Sequence, residues 1–350
     1  MIRTFKIGAR RIGPGCPCFI IAEAGVNHNG NVAMALRLVD MAAEAGADAV
    51  KFQTFHADKV VSVLAPLAEY QELNMEDRGS QLEMLRRLEL SEEEHDRIRQ
   101  HCVARGIMFL STPFDEDSTD YLERAGVPAF KVGSGDLTNL PLLMHIGRKG
   151  RPMIVSTGMA DMDEVRAAVD CLRGVGNPAI ILLHCVSNYP ADPADANLRA
   201  MLAMARAFAV PVGFSDHTQG SEVALAAVAL GACVIEKHFT LDRNLPGPDH
   251  RASMEPTEFA ALVQGILKIE SALGDGVKRA AASERSMAKV ARRSLVAEQD
   301  IPAGTTVTLS MIGIKRPGTG LSPQMRGRVV GRRARVDIPA GTLLSWDMFA

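Results

Sequence analysis

The sequence predicts an α/β fold, a (β/α)₈ TIM barrel followed by a small irregular β domain. Three observations predict it. From Cys18 to about Leu273, short β-rich runs alternate with longer helical segments, and there are eight such runs. Eight strand–helix units in roughly 250 residues match the size of a closed barrel. Past Leu273 the texture changes to short β-type runs broken by Pro-Ala-Gly turns. A doubly wound open sheet is the competing architecture. It would be favoured by a nucleotide-binding turn after the first strand, and Ala24-Gly25-Val26-Asn27-His28-Asn29-Gly30 is not GxGxxG.

The strand runs, in order, end near Glu23, Gln53, Thr112, Gly133, Ser156, His184, Ser215 and His238. Amphipathic spacing predicts helices over Val32–Ala45, Leu82–Arg105, Asp163–Arg173, Asn197–Phe208 and Glu222–Leu230. Residues 57–80 form a long excursion after the second strand. In a barrel such an insertion sits over the catalytic face, as a lid or a partner contact. Gly274-Asp275-Gly276 stops the last helix. The expected division is therefore a barrel over 1–275, a polar linker over 276–293 and a β domain over 294–350. Ile301-Pro302-Ala303-Gly304 and Ile338-Pro339-Ala340-Gly341 are near-repeats, which predicts internal symmetry in that small domain.

Composition is that of an ordinary globular chain, with 47% apolar and 23% charged residues in 350. The longest apolar run, Val223–Ile235, is interrupted by Gly231 and too short for a bilayer. Met1 to Lys6 lacks a signal-peptide core. Six cysteines are scattered without a framework, so they read as reduced thiols of a cytoplasmic protein. The net charge of −2 hides an asymmetry: Arg285 to Ala350 holds eleven Lys and Arg against four Asp and Glu. Few aromatics accompany those cations, so an anionic ligand or docking on an acidic surface fits better than nucleic acid.

The predicted strand ends carry the chemistry. In a barrel, active-site groups cluster at the C-terminal ends of the strands. Here every strand ends in polar or ionisable groups: Glu23; Lys51 and Gln53; Thr112; Lys131 and Ser134; Ser156; His184 and Asn188; Ser215 and His217; Glu236 and His238. Side chains i and i+2 share a face, so Lys51 with Gln53, Ser215 with His217, and Glu236 with His238 point the same way. Lys237 then faces the helices. Two neutral imidazoles, His217 and His238, at neighbouring strand ends can hold a divalent metal and leave positions open for substrate. Ser215-Asp216-His217 is not a hydrolase relay, because consecutive strand residues face opposite ways. Lys51 and Lys131 suit either Schiff-base chemistry or an anion cradle. The hydroxyls of Thr112, Ser134 and Ser156, and the glycines flanking Ser134, favour the cradle. Glu23 reads as a general base, or as one half of a barrel-mouth ion pair with a lysine. His28 and His184 read as structural histidines.

Taken together, these strings resemble the sialic acid synthase family. The resemblance is carried by residues 22–30 (AEAGVNHNG), Lys51-Phe52-Gln53, Ser111-Thr112-Pro113-Phe114, Lys131-Val132-Gly133-Ser134-Gly135 and Ser156-Thr157-Gly158-Met159. It continues through residues 184–190 (HCVSNYP), 213–218 (GFSDHT), 236–240 (EKHFT) and 247–250 (GPDH). The tail, with residues 314–320 (IKRPGTG), is similar to the antifreeze-like SAF domain that ends these synthases.

The resemblance implies condensation of phosphoenolpyruvate with an N-acylated amino-sugar aldehyde, water and a divalent metal, giving a nonulosonic acid and phosphate. N-Acetylmannosamine is the family's usual acceptor, so the activity the resemblance implies first is that of an N-acetylneuraminate synthase. A 2,4-diacetamido-trideoxyhexose, giving legionaminic or pseudaminic acid, is the alternative. Schiff-base aldolase or lyase chemistry and a non-catalytic polyanion-binding role stand further off. The implied roles are His217 and His238 as ligands of Mn²⁺ or Mg²⁺, and Glu23 and Glu236 as catalytic carboxylates. Lys51, Thr112, Lys131, Ser134, Ser156, Asn188 and Ser215 would hold phosphoenolpyruvate. Gln53, Tyr189 and Asp249 would contact the sugar, joined by Arg316 from the partner subunit of a domain-swapped homodimer. No nucleic acid or membrane partner is implied. One departure is visible: some family members carry Asn at the position of Ser187, two residues before the Tyr, whereas here the Asn is Asn188.

Overall fold

Eight all-parallel strands build the larger part of the computed structural model, which describes residues 2–67 and 80–350. The chain divides into two units, Met1–Gly274 and Asp275–Ala350. In the first unit an antiparallel hairpin, β1 (Phe5–Ile7) and β2 (Arg10–Ile12), precedes the barrel. The barrel strands are β3 (Phe19–Gly25), β4 (Ala49–Thr54), β5 (Met108–Pro113), β6 (Phe130–Val132), β7 (Met153–Ser156), β8 (Ile180–Cys185), β9 (Val212–Asp216) and β10 (Val234–His238). Their order around the sheet is β5-β4-β3-β10-β9-β8-β7-β6, and β5 packs beside β6 to bring the ends together. This is the expected barrel.

Each strand is buried on both faces, which explains its nearly continuous apolar run. The inner face holds Phe19, Ile21, Ala49, Leu110, Ala129, Ile154, Ile181, Leu183 and Val234. Ile7 and Ile12 of the hairpin join that cluster, fully buried. The hairpin therefore closes the N-terminal end of the barrel, a task the opening residues do not advertise in their pattern. Moving two residues up from these inner positions gives Glu23, Lys51, Thr112, Lys131, Ser156, Cys185 and Glu236. The inner face turns from apolar to polar at one level, and that level is the floor of the site.

Helices α1 (Val32–Glu44), α2 (Ala57–Val60), α3 (Gln81–Leu88), α4 (Glu92–Arg105), α5 (Glu116–Ala125), α6 (Leu140–Gly147), α7 (Met162–Gly174), α8 (Arg199–Phe208), α9 (Glu222–Ala229) and α10 (Pro256–Leu273) complete the described part of this unit. The single helix expected over Leu82–Arg105 is two. Ser80 and Ser91 each cap a helix in a Ser-x-x-Glu box, with Glu83 and Glu94 answering. The second box starts a new helix three residues past the first one's end. Of the excursion after β4, residues 68–79 lie outside the described residues. Beyond them, α3 packs Met84 and Leu88 with Val26 and Phe55 above the barrel. Gly30 (φ +69°) lies against the carbonyl of Arg87, where a Cβ would not fit.

In the second unit, α11 (Arg285–Ala291) precedes antiparallel β11 (Ser294–Ala297) and β12 (Ile312–Lys315), followed by α12 (Arg326–Val329). The Pro-Ala-Gly repeats are related by a local symmetry. Ile301 and Ile338 exchange both backbone hydrogen bonds at 2.9 Å. Asp337 accepts from the Ala303 N–H, and Asp300 accepts from the Ala340 N–H, each at 2.7 Å. Leu295, Ile301, Val307, Ile338, Leu344 and Phe349 are among its core residues.

Candidate active site

The polar level of the barrel opens into a cavity of about 460 Å³. Lys51 lies at its centre, fully buried. Its ammonium is 2.5 Å from Glu23 Oε2, 3.7 Å from Glu236 Oε2, and donates to Thr112 Oγ1 at 3.2 Å. Lys131 approaches the same Glu236 at 3.4 Å. Ser215 donates to Glu236 Oε1 at 3.0 Å. Two lysines and two carboxylates thus share one buried network. Glu23 forms the expected ion pair with a lysine, and it also lines the cavity.

The network drives the two carboxyls apart. Burial pushes Glu23 up to about 7, against the pull of Lys51. Burial acts on Glu236 as well, but Lys131, Lys51 and the Ser215 hydroxyl outweigh it and bring it down to about 2. Glu236 is therefore a fixed anion, and Glu23 exchanges its proton near neutrality. Burial lowers Lys131, while Glu23 and Glu236 outweigh burial at Lys51 and raise it. With Glu23 protonated, the floor carries an excess of positive charge for an anion. Asp249, also lining the cavity, is raised by burial to about 6.

The two histidines stand side by side on β10 and just past β9, their ring centroids 5.5 Å apart. His217 donates from Nδ1 to the Val186 carbonyl at 2.6 Å, which leaves the Nε2 lone pair facing inward. His238 Nδ1 is buried without a hydrogen-bond partner among the described residues. Burial lowers both imidazoles, and His238 lies well below the usual value, so both are neutral. Neutral rings with lone pairs turned into a cavity are the donors a divalent cation takes. No third His, Cys, Asp or Glu completes such a group among the described residues. The Tyr189 ring lies against that of His217, tilted by 36° with centroids 4.3 Å apart.

Gln53, Ser134, Ser156, Tyr189 and Asp249 line the same cavity, as the sequence leads one to expect. Ser156 Oγ is buried and has no partner among the described residues. One expected residue is not brought in. Asn188 is exposed and its side chain accepts from the Tyr189 N–H at 3.1 Å; Ser187 lines the cavity in its place. Strand parity explains this, since Ser187 and Tyr189 continue the inward face of β8 and Asn188 lies between them. Arg316 belongs to the second unit and is exposed just past β12. His184 shows the same parity effect: it points outward and bonds the Ala196 carbonyl at 2.8 Å. The upper wall is not anticipated from the sequence. Val26, Met84, Leu88 and Phe114 form an apolar face above the charged floor.

The model of the NeuB family matches residues 38–278, more than half of the chain. The chain belongs to the NeuB family. The SAF domain model matches residues 292–350, where the Pro-Ala-Gly repeats lie. Among NeuB-family relatives, the N,N'-diacetyllegionaminic acid synthase of Legionella pneumophila is 47% identical over 97% of this chain and 97% of its own. The N-acetylneuraminate-9-phosphate synthase of Homo sapiens is 37% identical over 94% of this chain and 92% of its own. Among solved structures, the N-acetylneuraminic acid synthetase from Leptospira borgpetersenii, in complex with citrate, superposes with a TM-score of 0.73 at 37% identity. It covers 82% of this chain and 95% of that one.

Proposed function

We propose that this chain condenses phosphoenolpyruvate with a 2,4-diacetamido-2,4,6-trideoxyhexose and water, releasing phosphate and a legionaminic-type acid. The coarser statement needs no proposal: as a NeuB-family member among such relatives, the chain is a nonulosonic acid synthase, a phosphoenolpyruvate-dependent transferase that forms a C–C bond. The observation that carries the finer reading is the two-sided cavity, charged below and apolar above. The diacetamido sugar carries a 6-methyl in place of the 6-hydroxymethyl and adds a second N-acetyl methyl, both of which Val26, Met84, Leu88 and Phe114 can cover. The difference between 47% and 37% identity supports the same choice over N-acetylmannosamine or its phosphate.

The work divides among the residues by their chemistry. Lys51, Lys131, Thr112, Ser134, Ser156 and Ser187 bind the carboxylate and phosphate of phosphoenolpyruvate. Gln53, Tyr189 and Asp249 orient the sugar. A divalent cation held by His217 and His238 would supply Lewis-acid polarisation of the acceptor's aldehyde oxygen. Carbon 3 of phosphoenolpyruvate bonds to the aldehyde carbon as the carbonyl π pair moves onto its oxygen, which ends as a hydroxyl with the proton that water gives up through Glu23, and carbon 2 becomes electron-poor. Water adds at carbon 2, and Glu23, poised near neutrality beside Lys51, takes its proton. The tetrahedral intermediate then loses phosphate. Glu236 stays ionised and holds Ser215 and both lysines in register.

Arg316 is assigned to the N-acyl group of a sugar in a second copy's barrel, within a domain-swapped homodimer. The compartment we assign is the cytoplasm, which six free cysteines suit. No described helix is long and apolar enough to cross a membrane.

An acceptor panel tests the sugar. Two buried methyl groups at about 0.8 kcal/mol each give roughly tenfold selectivity. Phosphate release from phosphoenolpyruvate with Mn²⁺ should show kcat/KM about tenfold higher for the diacetamido manno sugar than for N-acetylmannosamine. A preference for N-acetylmannosamine or its 6-phosphate would overturn the assignment.

A further inference from the structure

Three successive strand-to-helix connections meet at one hydroxyl. Ser134 opens the turn after β6. The Gly158 N–H, after β7, donates to Ser134 Oγ at 3.0 Å. Cys185, the last residue of β8, brings its Sγ to 3.1 Å from the same oxygen. Cys185 is only 4% exposed, and although it continues the inner face of β8 it is not among the residues that line the cavity. The packing is tight. A Cβ added at Gly158 would fall 2.8 Å from Ser134 Oγ and 2.9 Å from Cys185 Sγ, and closer still to Ser187 Oγ.

A hydroxyl has one proton to give and two lone pairs to offer. At Ser134 the Gly158 N–H occupies one lone pair. A thiol S–H directed at the other would leave the Ser134 proton a single free direction, into the cavity it lines. We infer that Cys185 is a positioning residue that sets this rotor. When an anion is bound, the chain runs from the Cys185 S–H to Ser134 Oγ, and from the Ser134 O–H to the anion. Each bond in such a chain polarises the next, so the serine becomes a stronger donor than a lone hydroxyl. Cys185 touches no substrate; it acts only through Ser134. The same geometry explains why position 158 is glycine.

The inference rests on the proposed reading that Ser134 faces the phosphoenolpyruvate anion. Steady-state kinetics on the full chain with Mn²⁺ and the preferred acceptor separate the two. Ser134→Ala should raise KM for phosphoenolpyruvate by roughly tenfold. Cys185→Ala should raise it by roughly threefold, leaving the acceptor KM unchanged. Cys185→Ser, which restores a donor of similar size, should recover most of that loss. The double variant should match Ser134→Ala alone, because the thiol has nothing left to orient.

An unchanged phosphoenolpyruvate KM in Cys185→Ala would overturn the inference, as would a double variant whose loss is the product of the two singles. An unchanged KM in Ser134→Ala would instead remove the reading of Ser134 as an anion ligand. Should Cys185→Ala prove too unstable to assay, Cys185→Val fills the space without a donor and carries the same expectation.

Discussion

Strands β9 and β10 carry two buried charge clusters, one on each face, and they behave differently. On the outer face Lys237 donates to Asp216 at 2.7 Å and to the Thr218 carbonyl at 2.5 Å. The other Asp216 oxygen accepts from the Thr218 N–H and hydroxyl. The groups of this cluster bond to one another, and none of them lines the active-site cavity. On the inner face Glu236 shares Lys51 with Glu23 and also pairs with Lys131, and beside them Ser156 Oγ and His238 Nδ1 have no partner among the described residues. A closed network of buried charges fixes the fold. An open one next to a cavity is available to a substrate.

That contrast can be broken at either face. The largest effect is expected at the histidines. His217→Ala or His238→Ala should lower turnover by roughly a thousandfold or more with the thermal midpoint nearly kept. Chelation of the wild type should act in the same way and be reversed by Mn²⁺. Near-wild-type turnover in either variant would remove the pair from the chemistry. Next, Lys237→Met should cost about 3–5 kcal/mol of stability, because it strands Asp216 in the core. Lys51→Met should instead act chiefly on phosphoenolpyruvate binding and turnover. Denaturation and kinetics on both variants would show the exchange, and equal stability losses would erase the distinction between the faces.

Smaller and more diagnostic is the pH dependence. The Glu23 carboxyl titrates near 7 in the fold against an ordinary 4.5. Its protonated form is favoured by folding, so its stabilising contribution is full below about 4.5 and is lost as pH rises through about 7. Activity that needs the carboxylate rises over the same interval. Wild type should therefore gain turnover between pH 5 and pH 7.5 while losing thermal stability relative to Glu23→Gln, whose residual activity stays flat (about one titrating group's difference). A flat wild-type profile would exclude Glu23 as the base. The smallest effect is at the wall: Met84→Ser should lower kcat/KM for the diacetamido sugar a few-fold, with N-acetylmannosamine changed less.

Much of this was legible in the chain. Alternating runs gave the barrel, and polar strand ends gave its floor, because a period of two residues carries inward facing from Ile21 to Glu23 and from Val234 to Glu236. The same rule, applied strictly to Ile181, Leu183 and Cys185, would have selected Ser187 and turned Asn188 and His184 outward. The apolar wall was not legible. Val26, Met84 and Phe114 come from three separate connections, and no local spacing brings them together. The hairpin that closes the barrel floor escaped for a similar reason, since only Ile7 and Ile12 of its short strands are buried.

The most direct test of the account traces one oxygen. Phosphoenolpyruvate labelled with ¹⁸O at the bridge between carbon 2 and phosphorus is turned over with the diacetamido acceptor and Mn²⁺. Water addition at carbon 2 and subsequent loss of phosphate places the label in the released phosphate. Label retained in the nine-carbon product would mean cleavage at phosphorus and would contradict the account.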